Sequence, residues 1–294
     1  MGLLLGVALD AALPDPRRGH PVAAFGTAAG ALERRIYADD RMRGVLFAGA
    51  CVGAAAGLGR AARRGPLAVA AATWTVLGAR SLRAEGNAVA DLLAAGDLPG
   101  ARDRLTHLVG RDPSGLDAAE IARAALESVA ENTCDAIVAP LFWGAVAGGP
   151  GLLGYRAANT LDAMVGHRSP RYARFGWAAA RLDDLLNLAP ARLTAALVAL
   201  VAPVAGGRPA GALRVALRDG HRHPSPNSGY GEAAYAGALG LRLGGRNVYE
   251  GRVEERPVLG DGRRPEPADL RRATRLCAAV TAAAALLAAL GARR

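Results

Sequence analysis

The chain has 294 residues, of which 51% are hydrophobic and 21% charged, and its formal net charge is +10. All 36 basic residues are arginine, which excludes a lysine-bearing P-loop and Schiff-base chemistry. Only 4% of residues are aromatic and there is no zinc-finger, RNP or helix-turn-helix pattern, so nucleic acid is not an expected partner; the arginines suit phosphate substrates or anionic lipid headgroups.

Gly2 to Leu13 opens the chain as a short candidate span carrying Asp10. It has no basic n-region and no small-residue cleavage pattern, so a cleaved signal peptide is not expected. The stretch LDAALPDPRRGHPV, from Leu9, then crowds Asp10, Asp15, Arg17, Arg18 and His20 into a proline-punctuated loop. Arginine pairs beside backbone amides hold phosphate, and a plain interfacial loop is the alternative.

Uncharged runs follow at 44–59, 65–79, 136–155, 193–207 and 276–292, each closely flanked by charge. A spanning helix needs roughly 20 apolar residues, and flanking arginines extend shorter runs by snorkelling. The first two runs read as a hairpin of hydrophobic helices. Arginine occurs in nearly every loop, so charge asymmetry does not set orientation. Between the runs, Leu82 to Ala95 has helical apolar spacing and stops at Gly96, and Asp97 caps a short helix ending near Gly110. Asp117 with Glu120 forms a capping-box pattern. Arg208 to Arg272 is rich in Gly, Pro and Arg and reads as extended loop with little helix. Cys51, Cys134 and Cys277 are far apart and read as buried thiols. The expected fold is all-α: one integral membrane domain over 1–294 with about five spans, a polar helical insertion at 80–135 and a loop region at 208–272.

Several constellations could carry chemistry. Glu127, Glu131 and Asp135 are spaced to put three carboxylates on one helix face, which calls for a metal or an arginine cluster in compensation. Asn159 and Asp162 share a face, and Asp183, Asp184 and Asn187 cluster within a turn beside Arg181 and Arg192. Hard oxygen ligands of this kind suit Mg²⁺, which takes one or two carboxylates plus substrate phosphates. Helix caps and surface charge are the plain alternative. His221 and His223 are not at metal-helix spacing, and Ser225, Asn227, Gly229 and Gly231 form a polar loop opening a helix near Glu232.

In this order the motifs DPRRGHPV (15–22), ARSL (79–82), VGRD (109–112), ESVAENTCDAIVAPLFW (127–143), YRAANTLDAMVGH (155–167), RYARFGWAAARLDDLLNLAPARL (171–193), SPNSGYGEAAYAGALGLRLGG (225–245) and RPVLGD (256–261) span nearly the whole chain. Together they resemble the cobalamin-biosynthesis CobD/CbiB family, the adenosylcobinamide-phosphate synthases. Pro14 stands where that family usually has Gly, and no charged motif residue is altered.

The resemblance implies a multi-pass enzyme of the inner (cytoplasmic) cell membrane. It would join aminopropanol, or its O-phosphate, to the free carboxylate of the corrinoid adenosylcobyric acid, consuming ATP with Mg²⁺. Other corrinoid-pathway enzymes are candidate partners, besides the lipid bilayer. Glu127, Glu131, Asp135, Asp183 and Asp184 are the expected metal ligands. Glu131, Asp135, Asp162 and Asp184 are the expected catalytic carboxylates, with His20 or His223 as base. Arg17, Arg80, Arg111, Arg156 and Arg181, with Asn159 and Asn227, are expected on the phosphates. Rival readings are a Mg²⁺-dependent membrane prenyl or alcohol-phosphate transferase, and a non-catalytic corrinoid transporter or scaffold.

Overall fold

The computed structural model describes residues 1–16, 19–61, 65–110, 112–167, 169–249 and 252–292. In chain order the elements are α1 (Gly2–Ala12), α2 (Pro21–Ile36), α3 (Arg41–Ala61), α4 (Pro66–Val76), α5 (Ala79–Ala94), α6 (Leu98–Leu105), α7 (Ala118–Thr133), α8 (Ala139–Ala147), α9 (Gly149–Leu161), α10 (Trp177–Val201), α11 (Pro209–Asp219), α12 (Ser228–Leu239), β1 (Leu243–Tyr249), β2 (Arg252–Leu259) and α13 (Pro267–Gly291). Wider π turns at Cys134–Val138 and Asp162–Gly166 continue α7 and α9.

Among the described residues, three helical stretches are long and apolar enough to cross a membrane: Arg41–Arg60, Trp177–Ala205 and Pro267–Gly291. The expected five-span count is not reached, for two physical reasons. The run at 65–79 yields only α4, because Leu77 turns extended at φ −76° and ψ 153°. The run at 136–155 is cut between α8 and α9 at Gly148, whose φ of +64° lies outside the helical region. The hairpin of α3 with α4 is not the main packing either: α3 lies along α9, and α4 along α1. Leu46 and Leu58 on α3, Leu200 on α10 and Leu286 and Leu290 on α13 are exposed, as expected of faces turned to hydrocarbon.

The chain divides into two compact units. The first comprises Met1–Gly78, Ala139–Asn187 and Ala284–Arg294. Its helices meet at small residues: Gly2 and Gly6 of α1 leave no room for a Cβ against Val69 and Thr73 of α4, and Gly59 of α3 lies against Gly149. Its core gathers Phe47, Cys51, Leu161, Val165 and Phe175. The segment before α10 is pinned by Arg171, which binds Glu33 at 2.8 Å and lies 4.1 Å over the ring of Tyr37.

The second unit comprises Ala79–Val138 and Leu188–Ala283. Its first helices follow the sequence signals closely. Helix α5 stops before Gly96, at φ +75°. Asp97 caps α6 through the Gly100 N–H at 2.9 Å, and the capping box of Asp117 with Glu120 starts α7. The 208–272 region is not extended loop: it holds α11, α12, the antiparallel β1–β2 hairpin and the start of α13. Composition misleads there because the glycines serve contact rather than flexibility. Gly211 of α11 and Gly237 of α12 each lie against the other's backbone, where a Cβ would overlap. Asp219, at the end of α11, accepts from Arg218 (2.7 and 2.9 Å) and from the Gly260 N–H (2.9 Å), tying β2's end to the helix. The Arg218 hydrogen bonds, aided by Gly260 and opposed by burial, hold the Asp219 carboxyl down at about 2. Cys51, Cys134 and Cys277 are all buried.

Candidate functional site

Each unit carries a polar cluster. In the first unit it is built by α9 and the front of α10. Tyr155, Arg156 and Asn159 fall on adjoining helix positions of α9, and Asp183 and Asn187 are one turn apart on α10. Asp183 sits at the centre, half-buried: it accepts from Asn187 Nδ2 at 3.0 Å through one oxygen and from Asn159 Nδ2 at 3.4 Å through the other. The Tyr155 hydroxyl donates to Asn187 Oδ1 at 2.9 Å, and Arg156 Nη1 donates to Asn159 Oδ1 at 3.3 Å. A continuous line of hydrogen bonds therefore runs from Arg156 through Asn159, Asp183 and Asn187 to Tyr155. Asp184 pairs with the more exposed Arg181 at 3.0 Å. Asp162 opens the π turn after α9, and its carboxylate packs where a Cβ on Gly166 would stand.

Arg156 also borders a cavity of about 690 Å³ enclosed by α2, α3, α4 and α9, whose other walls are mostly apolar. Pro21 and Val22, the residues after His20, line the same cavity. His20 caps α2: its Nδ1 accepts the Val22 N–H at 3.2 Å, and its Nε2 lies 3.8 Å from Asp15.

In the second unit the cluster joins α7, α12 and the hairpin. Arg123, Glu127 and Glu131 follow one another at four-residue steps on α7. Glu127 Oε1 accepts from Arg123 Nη1 at 3.1 Å and from the Gly244 N–H at 2.8 Å. Gly244 can make that bond because it forms a bulge in β1, at φ +84°, between the Leu243–Leu259 and Gly245–Arg256 pairs. Glu131 accepts from Ser228 at 3.1 Å. The α-helical spacing expected to align three carboxylates ends before Asp135, which lies in the π turn. His223 accepts the Ser225 N–H on Nδ1 at 3.0 Å, and its Nε2 lies 3.2 Å from Arg256 Nη1 and 3.7 Å from Glu232. The His223 and Glu232 side chains are each 5% exposed. Asn227 accepts from Arg192 at 2.8 Å.

His20, Arg156, Asn159, Asp162, Arg181, Asp183 and Asp184 thus belong to the first unit, and Arg80, Glu127, Glu131, Asp135, His223 and Asn227 to the second. Arg17 and Arg111 lie outside the described residues. No three His, Cys, Asp or Glu among the described residues are grouped as a metal site. Asp183, held by N–H donors from two amides, offers a single carboxylate of the kind a Mg²⁺ seat combines with phosphate and water. Glu127 offers a second such carboxylate in the other unit, with Oε1 accepting two N–H bonds where it joins α7 to the hairpin. Sequence reasoning missed Arg123, Arg256 and the pairing of Glu232 with His223. The signal for Arg123 was present, since it lies four residues before Glu127.

These features define a predominantly helical protein with membrane-length helices and an arginine–amide–carboxylate site. Residues 3–277 match the family model described as CobD/Cbib protein. The chain is 54% identical to a Mycobacterium tuberculosis protein named "Cobalamin biosynthesis protein CobD", covering 98% of this chain and 94% of that one. Proteins of the same name from Geobacter metallireducens and Rhodobacter capsulatus are 49% and 48% identical, each over 92% of this chain and 90% of theirs. No solved structure matches. The chain belongs to the CobD/CbiB family.

Proposed function

We propose that this protein acts in cobalamin biosynthesis as an ATP-dependent amide ligase of the inner cell membrane. It joins (R)-1-amino-2-propanol O-phosphate to the free carboxylate of adenosylcobyric acid and gives adenosylcobinamide phosphate. The observation that carries the proposal is the family match over residues 3–277, which takes in every member of the Arg156-to-Tyr155 hydrogen-bonded line.

A carboxylate and an ammonium do not condense at neutral pH without activation. The corrinoid carboxylate oxygen takes the γ-phosphoryl group of ATP and ADP leaves. The ammonium gives one proton to the base, its nitrogen then attacks the acyl carbon, and a second proton leaves nitrogen with the departing inorganic phosphate. We place this chemistry in the first unit. Arg156, oriented by Asn159, offers its guanidinium to the phosphates. Asp183, positioned by Asn159 and Asn187, would hold Mg²⁺, which when bound neutralises charge on the transferring phosphoryl group. We place the base at His20 rather than His223. Both rings use Nδ1 on a backbone N–H, but the His20 side chain is 21% exposed against 5%, so it can exchange that contact for a substrate proton.

The test is turnover by detergent-purified protein with Mg²⁺–ATP, adenosylcobyric acid and aminopropanol phosphate, following ADP and product mass. ADP together with a corrinoid heavier by one amide-linked aminopropanol phosphate supports the ligase. Folded protein that binds the corrinoid and releases neither supports a scaffold or transporter.

The apolar cavity beside Arg156 favours one second reading, a Mg²⁺-dependent prenyl or alcohol-phosphate transferase whose lipid chain occupies it. That reading requires turnover of a lipid diphosphate without ATP.

A further inference from the structure

Four arginines outside the proposed site converge on one cavity in the second unit. It has a volume of about 310 Å³ and is lined by Arg123 from α7, Arg242 and Arg246 around the start of β1, and Arg264 from the segment before α13. Glu120 is the one carboxylate on its wall, and that side chain accepts the Asp117 N–H at 2.9 Å in the capping box. Four positive charges on the lining thus face Glu120 on the wall and Glu127 behind Arg123, an excess of two.

The arrangement is built into the backbone. Arg123 Nη1 donates to the Gly244 carbonyl at 2.7 Å and Nη2 to the Arg246 carbonyl at 3.0 Å, while Glu127 holds the same guanidinium from behind. The Arg242 N–H donates to the Arg263 carbonyl at 2.9 Å, which brings the chain carrying Arg264 beside the chain carrying Arg242. Gly245 has φ +89°, and a Cβ there would meet nothing within 4 Å. Glycine is needed at that position for its conformation, and its lack of a side chain leaves the cavity wall open.

We propose that this cavity is a binding site for a phosphate-bearing anion. Guanidinium forks match phosphate oxygens two at a time, and several forks around one cavity suit a multiply charged group better than a single carboxylate. Arg123 is already fixed by its partners, so its ordering costs little on binding. Like charges held together repel, so occupation by a polyanion stabilises the fold by mass action. The site stands independently of the ligase reading. Its ligand is either a free phosphate compound, such as a nucleotide or a phosphorylated amine, or a lipid headgroup.

The test uses full-length detergent-purified protein, inorganic pyrophosphate without Mg²⁺, and the thermal midpoint as readout, with sodium chloride at matched ionic strength as control. Pyrophosphate raises the wild-type midpoint beyond the chloride control. R242Q/R264Q needs at least ten times more pyrophosphate for the same rise. R34Q/R35Q, which removes the same charge from α2 in the first unit, responds like wild type. R264Q alone gives a smaller loss and serves if the double variant does not fold. Displacement by ADP or aminopropanol phosphate assigns the site to a free phosphate compound; displacement only by phosphatidylglycerol nanodiscs assigns it to a headgroup. The proposal is overturned if chloride reproduces the pyrophosphate effect, if the cavity variants respond like wild type, or if R34Q/R35Q loses as much as they do. None of these readouts depends on turnover, so failure of the ligase assay leaves them interpretable.

Discussion

The guanidinium of Arg192 lies 4.1 Å over the ring of Tyr230 and donates to Asn227 Oδ1 at 2.8 Å. One side chain of α10 thereby fixes both the residue before α12 and an aromatic in its first turn. Lysine keeps the charge but loses the planar fork and the stacking. Arg192→Lys should destabilise by about 1–2 kcal/mol. Thermal midpoints of wild type, Arg192→Lys and Tyr230→Leu check this, and the double variant should lose less than the sum of the two.

Asp219 makes an acid-sensitive latch. Its carboxyl is held at about 2, chiefly by hydrogen bonds from Arg218, below the value of about 3.9 for an unperturbed aspartate. A depressed carboxyl stabilises the fold above its unfolded value, and that contribution drains away as pH falls from about 4 to about 2. Asp219→Asn should cost about 2 kcal/mol at neutral pH, moderated because Arg218 is half exposed. The variant's midpoint should also vary less than wild type over that acid range. Equal acid slopes in the two proteins would show that the latch is not what titrates.

The two clusters separate by substitution. Asp183→Asn should lower turnover at least 100-fold with a small change in midpoint, since Asp183 is the proposed phosphate-and-metal seat. Asp184→Asn should lose less, because its partner Arg181 is largely exposed. Glu127→Gln should lower the midpoint and leave turnover of the folded fraction within a few-fold. Loss of turnover with an unchanged midpoint in that last variant would restore Glu127 as a metal ligand.

Helix α12 approaches α11 at Gly237, where a Cβ would run into Gly211. Gly237→Ala should cost about 1–3 kcal/mol by overpacking, read as a lowered midpoint.

Local signals were legible wherever one residue acts on its neighbours. Asp97, the Asp117–Glu120 box and Gly96 set helix ends that the sequence announced. What failed was long-range. Gly211 and Gly237 read as breakers, yet each is small because another helix touches it. The same misreading hid α11, whereas the helix expected near Glu232 is α12. The break at Gly148 is signalled by Gly148, Gly149, Pro150 and Gly151, a breaker pattern that a run bounded by charge alone passes over. The candidate site was legible as residue types and family motifs. The spacing of Glu127, Glu131 and Asp135 could not reveal that Gly244, more than a hundred positions later, hydrogen-bonds Glu127.

The exposed leucines of α3, α10 and α13 put a different demand on the sequence from that of the glycine contacts. A fluid surrounding asks a side chain to be greasy and does not ask for a shape. Leu46, Leu58, Leu200, Leu286 and Leu290 should therefore drift freely among Leu, Ile, Val and Phe while refusing charge. Gly211 and Gly237 should refuse almost everything. Library selection for growth dependent on this protein should find permissive positions grouped on the exposed leucine faces of each of those three helices.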